Sequence, residues 1–389
     1  MALNQLEQSQ VKGLKEFIDE RTEWQKPADW IDIRSGALPN SVYFLVGHSA
    51  DYTQYPTFSV FATVSNGGTY DVYVDGLKQA TTANNVGTVL NWQTLALTSG
   101  YDTTYPSALR THIVRITPTL STNTFSGIRL NQTPESSELV HGLLWVHFTT
   151  ANAIIMGNAF GSAYKAITPI LEAATGNIMP YKAATNAFRY SNVKHIDTID
   201  ASSAIGIESA FFHATNLQSV TIDGNNNSIK TYVAFSGCTS LKKVVFKNIQ
   251  LITNNSTFQD CTALKEVSGL QLDCSADNNI SPFRACSSFN TSTVLDFSGG
   301  VNCARGIINQ TPGIKAITVS PEAPFNSTTS PQINVSYTGL DRAALINLFK
   351  SMPTVSASQV CNIVGTTGAA DLTVDDLAVA VNKGWTIMR

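Results

Sequence analysis

The chain is predicted to be an α+β protein, mostly β. It should open with an N-terminal helix, continue as a β-sandwich of jelly-roll type, and end as a solenoid of short repeats closed by an α/β C-terminal cap. Three observations predict this. Residues 210–297 repeat one pattern at a nearly constant step. Residues 30–148 hold short strand-like runs punctuated by turn residues. Residues 336–389 alternate two helical patterns with a strand. The expected division is 1–25 (helix and oligomerisation segment), 26–150 (sandwich), 151–335 (solenoid) and 336–389 (cap).

At the N-terminus, Leu3, Leu6, Val11, Leu14, Phe17 and Ile18 form an apolar stripe at helical spacing, with Glu, Gln and Lys elsewhere. A helix this short is not stable alone. It packs either on its own domain or on other copies of the chain, and the second option predicts a homo-oligomer.

The β-rich stretch follows. Val42–Val46 is a buried run, Thr57–Val64 a strand, and Tyr70–Val74 alternates apolar and polar residues. Asp75-Gly76 directly after it is a hairpin signal. Leu90–Trp92, His112–Ile116 and Leu143–Phe148 continue the pattern, with turns at Asn66-Gly67-Gly68 and Thr98-Ser99-Gly100. Short strands with turns at such spacing predict two packed sheets.

Two loops here share a composition. Asp51-Tyr52-Thr53-Gln54-Tyr55-Pro56 and Tyr101-Asp102-Thr103-Thr104-Tyr105-Pro106 each hold two tyrosines, an aspartate and a Tyr-Pro. Tyrosines in polar loops can stack on sugar faces while Asp51 and Asp102 accept from hydroxyls. The plainer reading is that Tyr-Pro locks each loop onto the sheets, since proline fixes φ and tyrosine packs sideways. Tyr52, Tyr55, Tyr101, Tyr105, Asp51 and Asp102 are the candidate ligand-binding residues.

The repeat is clearest in AFSGCTSLKKVVF, Ala234 to Phe246. Phe211, Phe235, Phe258 and Phe283 follow one another at steps of 24, 23 and 25 residues. Three residues after each stands a small residue, Ala214, Cys238, Cys261 or Cys286. Six after each stands Leu217, Leu241, Leu264 or Phe289. Such a period, with apolar residues at fixed phase, marks a leucine-rich-repeat solenoid. One copy cannot bury its own apolar residues, so copies must stack each residue type on itself. Fainter copies at Phe160, Phe188 and Ile308 extend the array over roughly residues 150–335. Asn225–Asn227, Asn254-Asn255 and Asn278-Asn279 fall between copies and read as turns, because Asn tolerates the left-handed conformation.

AFSGCTSLKKVVF resembles the BspA-type leucine-rich repeat of bacterial surface and host-associated proteins. The end of the chain, from LDRAALINLF through a proline and a strand to KGWT, is similar to the closing cap of such arrays. The resemblance spans about the last 240 residues. It implies adhesion or recognition at a bacterial or host surface, through an extended repeat face or the sandwich loops.

Composition narrows the setting. Charged residues make up only 14% of the chain and the formal net charge is −3, with no basic block, so binding to nucleic acid is disfavoured. The first residues lack the apolar core of a signal peptide, and no run is long enough to insert in a membrane. Cys238, Cys261 and Cys286 share one repeat phase and read as buried thiols in a ladder. Cys274, Cys303 and Cys361 are expected to be free as well. The six histidines form no metal-ligand motif, and no phosphate loop, EF-hand or nucleophile elbow appears. Asp197 and Asp200 bracket Thr-Ile without a partner acid. No cofactor, no metal site and no enzymatic activity are therefore expected.

The expected function is non-enzymatic surface recognition of a cell-surface glycan or protein. Without an export signal the favoured setting is a virion, as a phage-tail or receptor-binding component alongside other virion proteins. Self-association is expected through the N-terminal helix, as a trimer under the tail reading. A secreted bacterial adhesin whose signal peptide has been removed is the first rival, and a glycan-active enzyme the second.

Overall fold

The computed structural model describes residues 24–52, 57–95, 97, 100–103, 108–130, 142–149, 154–155, 171–180, 186–202, 206–253, 256–268, 272–273, 282–289, 295–296, 311–318, 333–356 and 359–389. The predicted helix over residues 3–22 lies outside them, as do Phe160, Ile308, Cys274, Cys303, Asn254-Asn255 and Asn278-Asn279.

The first strands are β1 (Val42–His48), β2 (Thr57–Val64), β3 (Tyr70–Val74), β4 (Leu77–Thr82), β5 (Val86–Asn91), β6 (Tyr101–Thr103), β7 (Leu109–Pro118), β8 (Phe125–Arg129) and β9 (Leu143–Phe148). One sheet runs β4-β3-β7-β1-β9, with β6 also on β7, and its pairs are antiparallel. A second runs β5-β2-β8, also antiparallel. The two pack face to face. Phe44 of β1 lies 5.5 Å from Phe58 of β2, and the buried Tyr70 hydroxyl of β3 donates to the Val86 carbonyl at 2.6 Å. Asp75 and Gly76, with φ of 47° and 84°, make the β3–β4 hairpin turn.

Both sheets then change direction and continue. The next strands are β10 (Ile154–Ile155), β11 (Ala173–Gly176), β12 (Met179–Pro180), β13 (His195–Ile196), β14 (Ile199–Asp200), β15 (Ser219–Lys230), β16 (Lys243–Thr253), β17 (Glu266–Ser268) and β18 (Leu272–Asp273). β9 pairs antiparallel with β1 on one side and parallel with β11 on the other. The first sheet proceeds in parallel through β11-β13-β15-β16-β17. The second proceeds in parallel from β8 to β10 and β12. The solenoid therefore grows out of both sheets, and one buried core runs through the two regions. At the join, a Cβ on Gly176 (φ 87°) would lie 2.0 Å from the Phe148 carbonyl oxygen, so only glycine fits there.

The far side of the first sheet carries a smaller core. The segment through Trp30 and Ile33 covers Tyr43, Leu45, Leu144 and Trp145. Trp24 meets the Trp145 ring at 5.1 Å and stacks on His195 at 5.8 Å, which straps the join from outside.

Within the solenoid the predicted ladder is present. Phe188, Phe211, Phe235, Phe258 and Phe283 stack face on face at centroid separations of 5.4, 5.1, 5.5 and 5.3 Å, with planes within 10°. Leu217, Leu241, Leu264 and Phe289 are fully buried beside them. Cys238, Cys261 and Cys286 are buried free thiols. Each donates, at 3.0 Å, to the carbonyl of the phenylalanine one turn back, Phe211, Phe235 and Phe258. Thr311 does the same to Phe283 at 2.9 Å. Burial pushes the thiols of Cys238, Cys261 and Cys286 far up, and that of Cys361 to about 12.

The phenylalanine segment is an irregular chain of turns rather than a helix. Two residues before the ring, φ is positive at Asn186, Ser209, Val233 and Ser256. Two residues after it, φ is positive at Tyr190, His213, Gly237, Asp260 and Ala285. These reversals aim alternate amides along the stack. Ser209, Phe211 and His213 donate to Tyr232, Ala234 and Ser236 of the next turn, each at 2.9 Å. Left-handed backbone costs a non-glycine residue roughly 1–2 kcal/mol, so the inter-turn bonds and the buried ladder must offset it. Asn225 and Asn226 are left-handed, as expected, at a shift in register within β15.

The remaining strands are β19 (Leu295–Asp296), β20 (Ile317–Thr318), β21 (Ile333–Asn334), β22 (Gln359–Asn362) and β23 (Trp385–Met388). The cap follows the predicted order. Helix Arg342–Ser351 is capped by Asp341, whose carboxylate accepts from the Ala344 amide, and helix Val374–Val381 by a capping box of Thr373 and Asp376. β21, β22 and β23 form a parallel sheet. The cap also repeats the solenoid turn. Val335 and Tyr337 donate to Asn362 and Val364, each at 2.9 Å. Thr366 donates to the Val335 carbonyl at 2.8 Å, and φ is positive at Tyr337 and Gly365. Val335 and Ile363 thus occupy the phenylalanine position.

Candidate functional site

Antiparallel pairing brings the end of β1 beside the start of β7, with β6 on the far side of β7. His48 is in register with Arg110, and Arg110 with Asp102. The loop after β1 and the strand carrying Tyr101 and Asp102 therefore share one end of the first sheet. Asp51 is exposed and accepts from the Ser49 hydroxyl at 2.6 Å. Tyr52 is left-handed (φ 58°), and its ring lies flat on His48 at 4.8 Å. One face of the Tyr52 ring is thus covered. Tyr55 and Tyr105 lie outside the described residues, and Tyr101 and Asp102 are described in their backbone alone.

Beneath Tyr52 is a buried group of rings that the histidine survey of the sequence did not assemble. His48 and His112 are 2% and 1% exposed. They stack on each other at 5.3 Å, and on Trp92 at 5.6 and 5.2 Å. His48 Nε2 faces His112 Nε2 at 3.3 Å. His112 Nδ1 meets Asp75 Oδ2 at 2.7 Å, while Asp75 Oδ1 accepts from the Ile113 amide at 2.9 Å. His48 Nδ1 meets the Ser49 carbonyl at 2.8 Å. Burial pulls the His48 imidazole below its ordinary value, and the nearby His112 and Arg110 act in the same direction against the Ser49 hydrogen bond. Asp75 had read only as a turn residue.

The second location is on the solenoid. A cleft of about 740 Å³ opens beyond the ends of the parallel strands, lined by Gly176, Asn177, Ile178, Asp197, Thr198, Asp200, Ser202, Asp223, Asn225 and Asn248. Asp200 is in register with Asp223. Asp223 Oδ1 accepts from Asn248 Nδ2 at 3.0 Å. Asp197 accepts from the Gly176 amide at 2.8 Å and faces His195 Nε2 at 2.8 Å. Burial pushes the Asp197 carboxyl up, but the hydrogen bonds from His195 and Gly176 outweigh it and hold the group below its ordinary value. Asp197 has its partners in His195 and Gly176, while Asp200 is joined in the cleft by Asp223 and Asn248. The repeat step was the signal for them, since 200, 223 and 248 follow the period.

The half-buried Thr221 and Lys243 and the exposed Lys265 occupy different rows of the first sheet. Ser219, Lys243 and Glu266 share one, and Lys243 pairs with Glu266 at 3.1 Å. Thr221 belongs with Val245 and Ser268. Among the described residues no group of three metal-ligating side chains is arranged to hold an ion, and no helix is long and apolar enough to cross a membrane.

Residues 182–293 match the family model described as BspA type Leucine rich repeat region, in six copies. No curated protein and no solved structure matches the chain. The matched span is the stacked-phenylalanine region, and the join, the antiparallel sheets and the cap lie outside it.

Proposed function

We propose that this chain is a non-enzymatic surface-recognition protein that binds a glycan through its solenoid, with the cleft around Asp200 and Asp223 as the contact. One observation carries the reading: the ladder holds hydrogen-bonding side chains of successive turns along one open cleft. Parallel neighbours are about 4.8 Å apart, so the lining offers donors and acceptors in regular order to an extended ligand. Among its described lining residues the polar side chains are carboxylates, amides and hydroxyls, with no Lys or Arg. That favours a neutral or amine-bearing saccharide over an anionic one. Repeat arrays suit such a task because each turn adds a rigid increment of surface. The tyrosine loops are the competing contact, and a protein ligand the competing partner.

The setting we propose is extracellular, on a virion as a tail or receptor-binding component, with the bacterial cell surface as the rival. A jelly-roll-like half and self-association through residues 3–22 belong to the same reading.

Glycan-array and whole-cell binding of the full chain test the contact. Asp200→Asn with Asp223→Asn is expected to lower binding at least tenfold, while Tyr52→Ala with Tyr101→Ala leaves it within twofold. The reverse pattern moves the contact to the loops. Binding unaffected by both pairs contradicts the recognition reading.

A further inference from the structure

The contacts of His48 and His112 fix a proton count. The Ser49 carbonyl only accepts, so His48 Nδ1, at 2.8 Å, carries a hydrogen. The contact of His112 Nδ1 with Asp75 Oδ2 at 2.7 Å holds one hydrogen. The Nε2-to-Nε2 contact at 3.3 Å holds one more, since two bare lone pairs or two N–H groups would repel there. Asp75, His112 and His48 together therefore hold three protons in three contacts. With Asp75 ionised, this is one imidazolium shared by two rings and balanced by one carboxylate, so the buried group is neutral overall. A fourth proton would fall on an atom already engaged in these contacts and would add a positive charge to a buried group.

We propose that His48, His112 and Asp75 form a proton-counting latch: closed at neutral pH with one shared proton, and opened by uptake of a second on acidification, which parts the rings and frees the Tyr52 face. Tyr52 rests on His48 at 4.8 Å, so separation of the rings removes its seat. The surrounding groups act in the same sense. Asp75 on the β3–β4 hairpin is the balancing anion. On β7, Arg110 opposes further positive charge at His48. Trp92 and Tyr52 contribute only ring faces. The backbone at Gly100 lies against the same group, where a Cβ would lie 2.8 Å from Arg110 Nε and 2.9 Å from His112 Cε1. From β6, Tyr101 and Asp102 border the site through their register with Thr111 and Arg110. Asp51 adjoins Tyr52 in the loop.

The sign follows from His48. Its imidazole is depressed when folded, so below the ordinary imidazole value of about 6.5, where separated rings take up two protons and the closed pair holds one, the open form binds more protons. The latch therefore weakens as pH falls from that value toward the folded value of His48. Opening is thus an acid response, independent of which surface binds the ligand.

Long-range proton–nitrogen spectra of the full chain labelled with 15N-histidine read the count directly. His48→Gln and His112→Gln assign the rings. If either variant does not fold, ring contacts to Tyr52 and Trp92 in the unsubstituted protein assign them. At pH 7.5 the expected result is three protonated nitrogens out of four in the pair, dropping to two in Asp75→Asn. On acidification below pH 6.5 both rings should become fully protonated as the Tyr52-to-His48 ring contacts disappear. Two neutral rings at pH 7.5, with Tyr52 still in place once both have been protonated, overturn the latch. No glycan enters this experiment, so its failure leaves the binding proposal standing.

Discussion

The antiparallel and parallel halves of the first sheet bury their side chains in opposite ways. In the antiparallel half, residues from segments with no common repeat meet across two sheets: Phe44 against Phe58, and the Tyr70 hydroxyl on the Val86 carbonyl. In the parallel half, the same contact recurs from turn to turn: phenylalanine on phenylalanine, and thiol on the phenylalanine carbonyl one turn back. The first arrangement needs complementary shapes from distant segments. The second needs only a constant step. The family model accordingly covers residues 182–293 and none of the antiparallel half.

The comparison breaks most readily at the join. Gly176→Ala would drive a Cβ into the Phe148 carbonyl at a left-handed position. It should cost more than about 4 kcal/mol, the exceptional class for a single substitution, with both halves melting lower in calorimetry. If only the solenoid transition moves, the halves are independent.

Next is Leu241→Ala, at the centre of the ladder, with an expected cost of about 2–5 kcal/mol from the cavity it leaves. Because turns couple to neighbours, lost amide protection should concentrate in the turns carrying Phe211 and Phe258, with the antiparallel half largely spared. An unchanged denaturation midpoint would place Leu241 outside the core.

Tyr70→Phe sharpens the contrast from the other side. It leaves the Val86 carbonyl without its cross-sheet donor and should cost about 1–2 kcal/mol, with the solenoid amides unaffected. A midpoint equal to that of the parent would mean the bond is not made.

These differences also explain what could be read before folding. The phenylalanine, cysteine and leucine positions were legible because they recur. The strands at Thr57–Val64 and Tyr70–Val74, the Asp75-Gly76 turn and the order of cap elements were legible from alternation and turn chemistry. The growth of the solenoid from both sheets was not. Ala173 pairs with Trp145 and His195, residues of unlike size whose partnership no period announces. Asp75, His112 and His48 come from three segments joined only by sheet register. The cap repeats escaped notice because Val335 and Ile363 replace the phenylalanine and a helix intervenes between them. Asp223 and Asn248 were within reach, since the same step that links the phenylalanines links them to Asp200.

The smallest effect expected is Cys261→Ser, which keeps a donor to the Phe235 carbonyl and so should cost about 1 kcal/mol or less. The presence of Thr311 in the same role on Phe283 supports this. In the parent, the thiols of Cys238, Cys261 and Cys286 should resist labelling until the chain unfolds. Rapid labelling of the native protein at these positions would refute their place in the ladder.

The central claim is that the parallel ladder is built on the antiparallel sheets as one continuous body. Native-state hydrogen exchange at the join tests it most directly, at the amides of Glu172 and Asn177, which donate to Leu144 and Phe148 at 2.8 and 3.1 Å. The predicted result is protection at these amides equal to that of β1 and β7, lost only with global unfolding. Exchange within minutes at the join, with protected strands on either side, would contradict it.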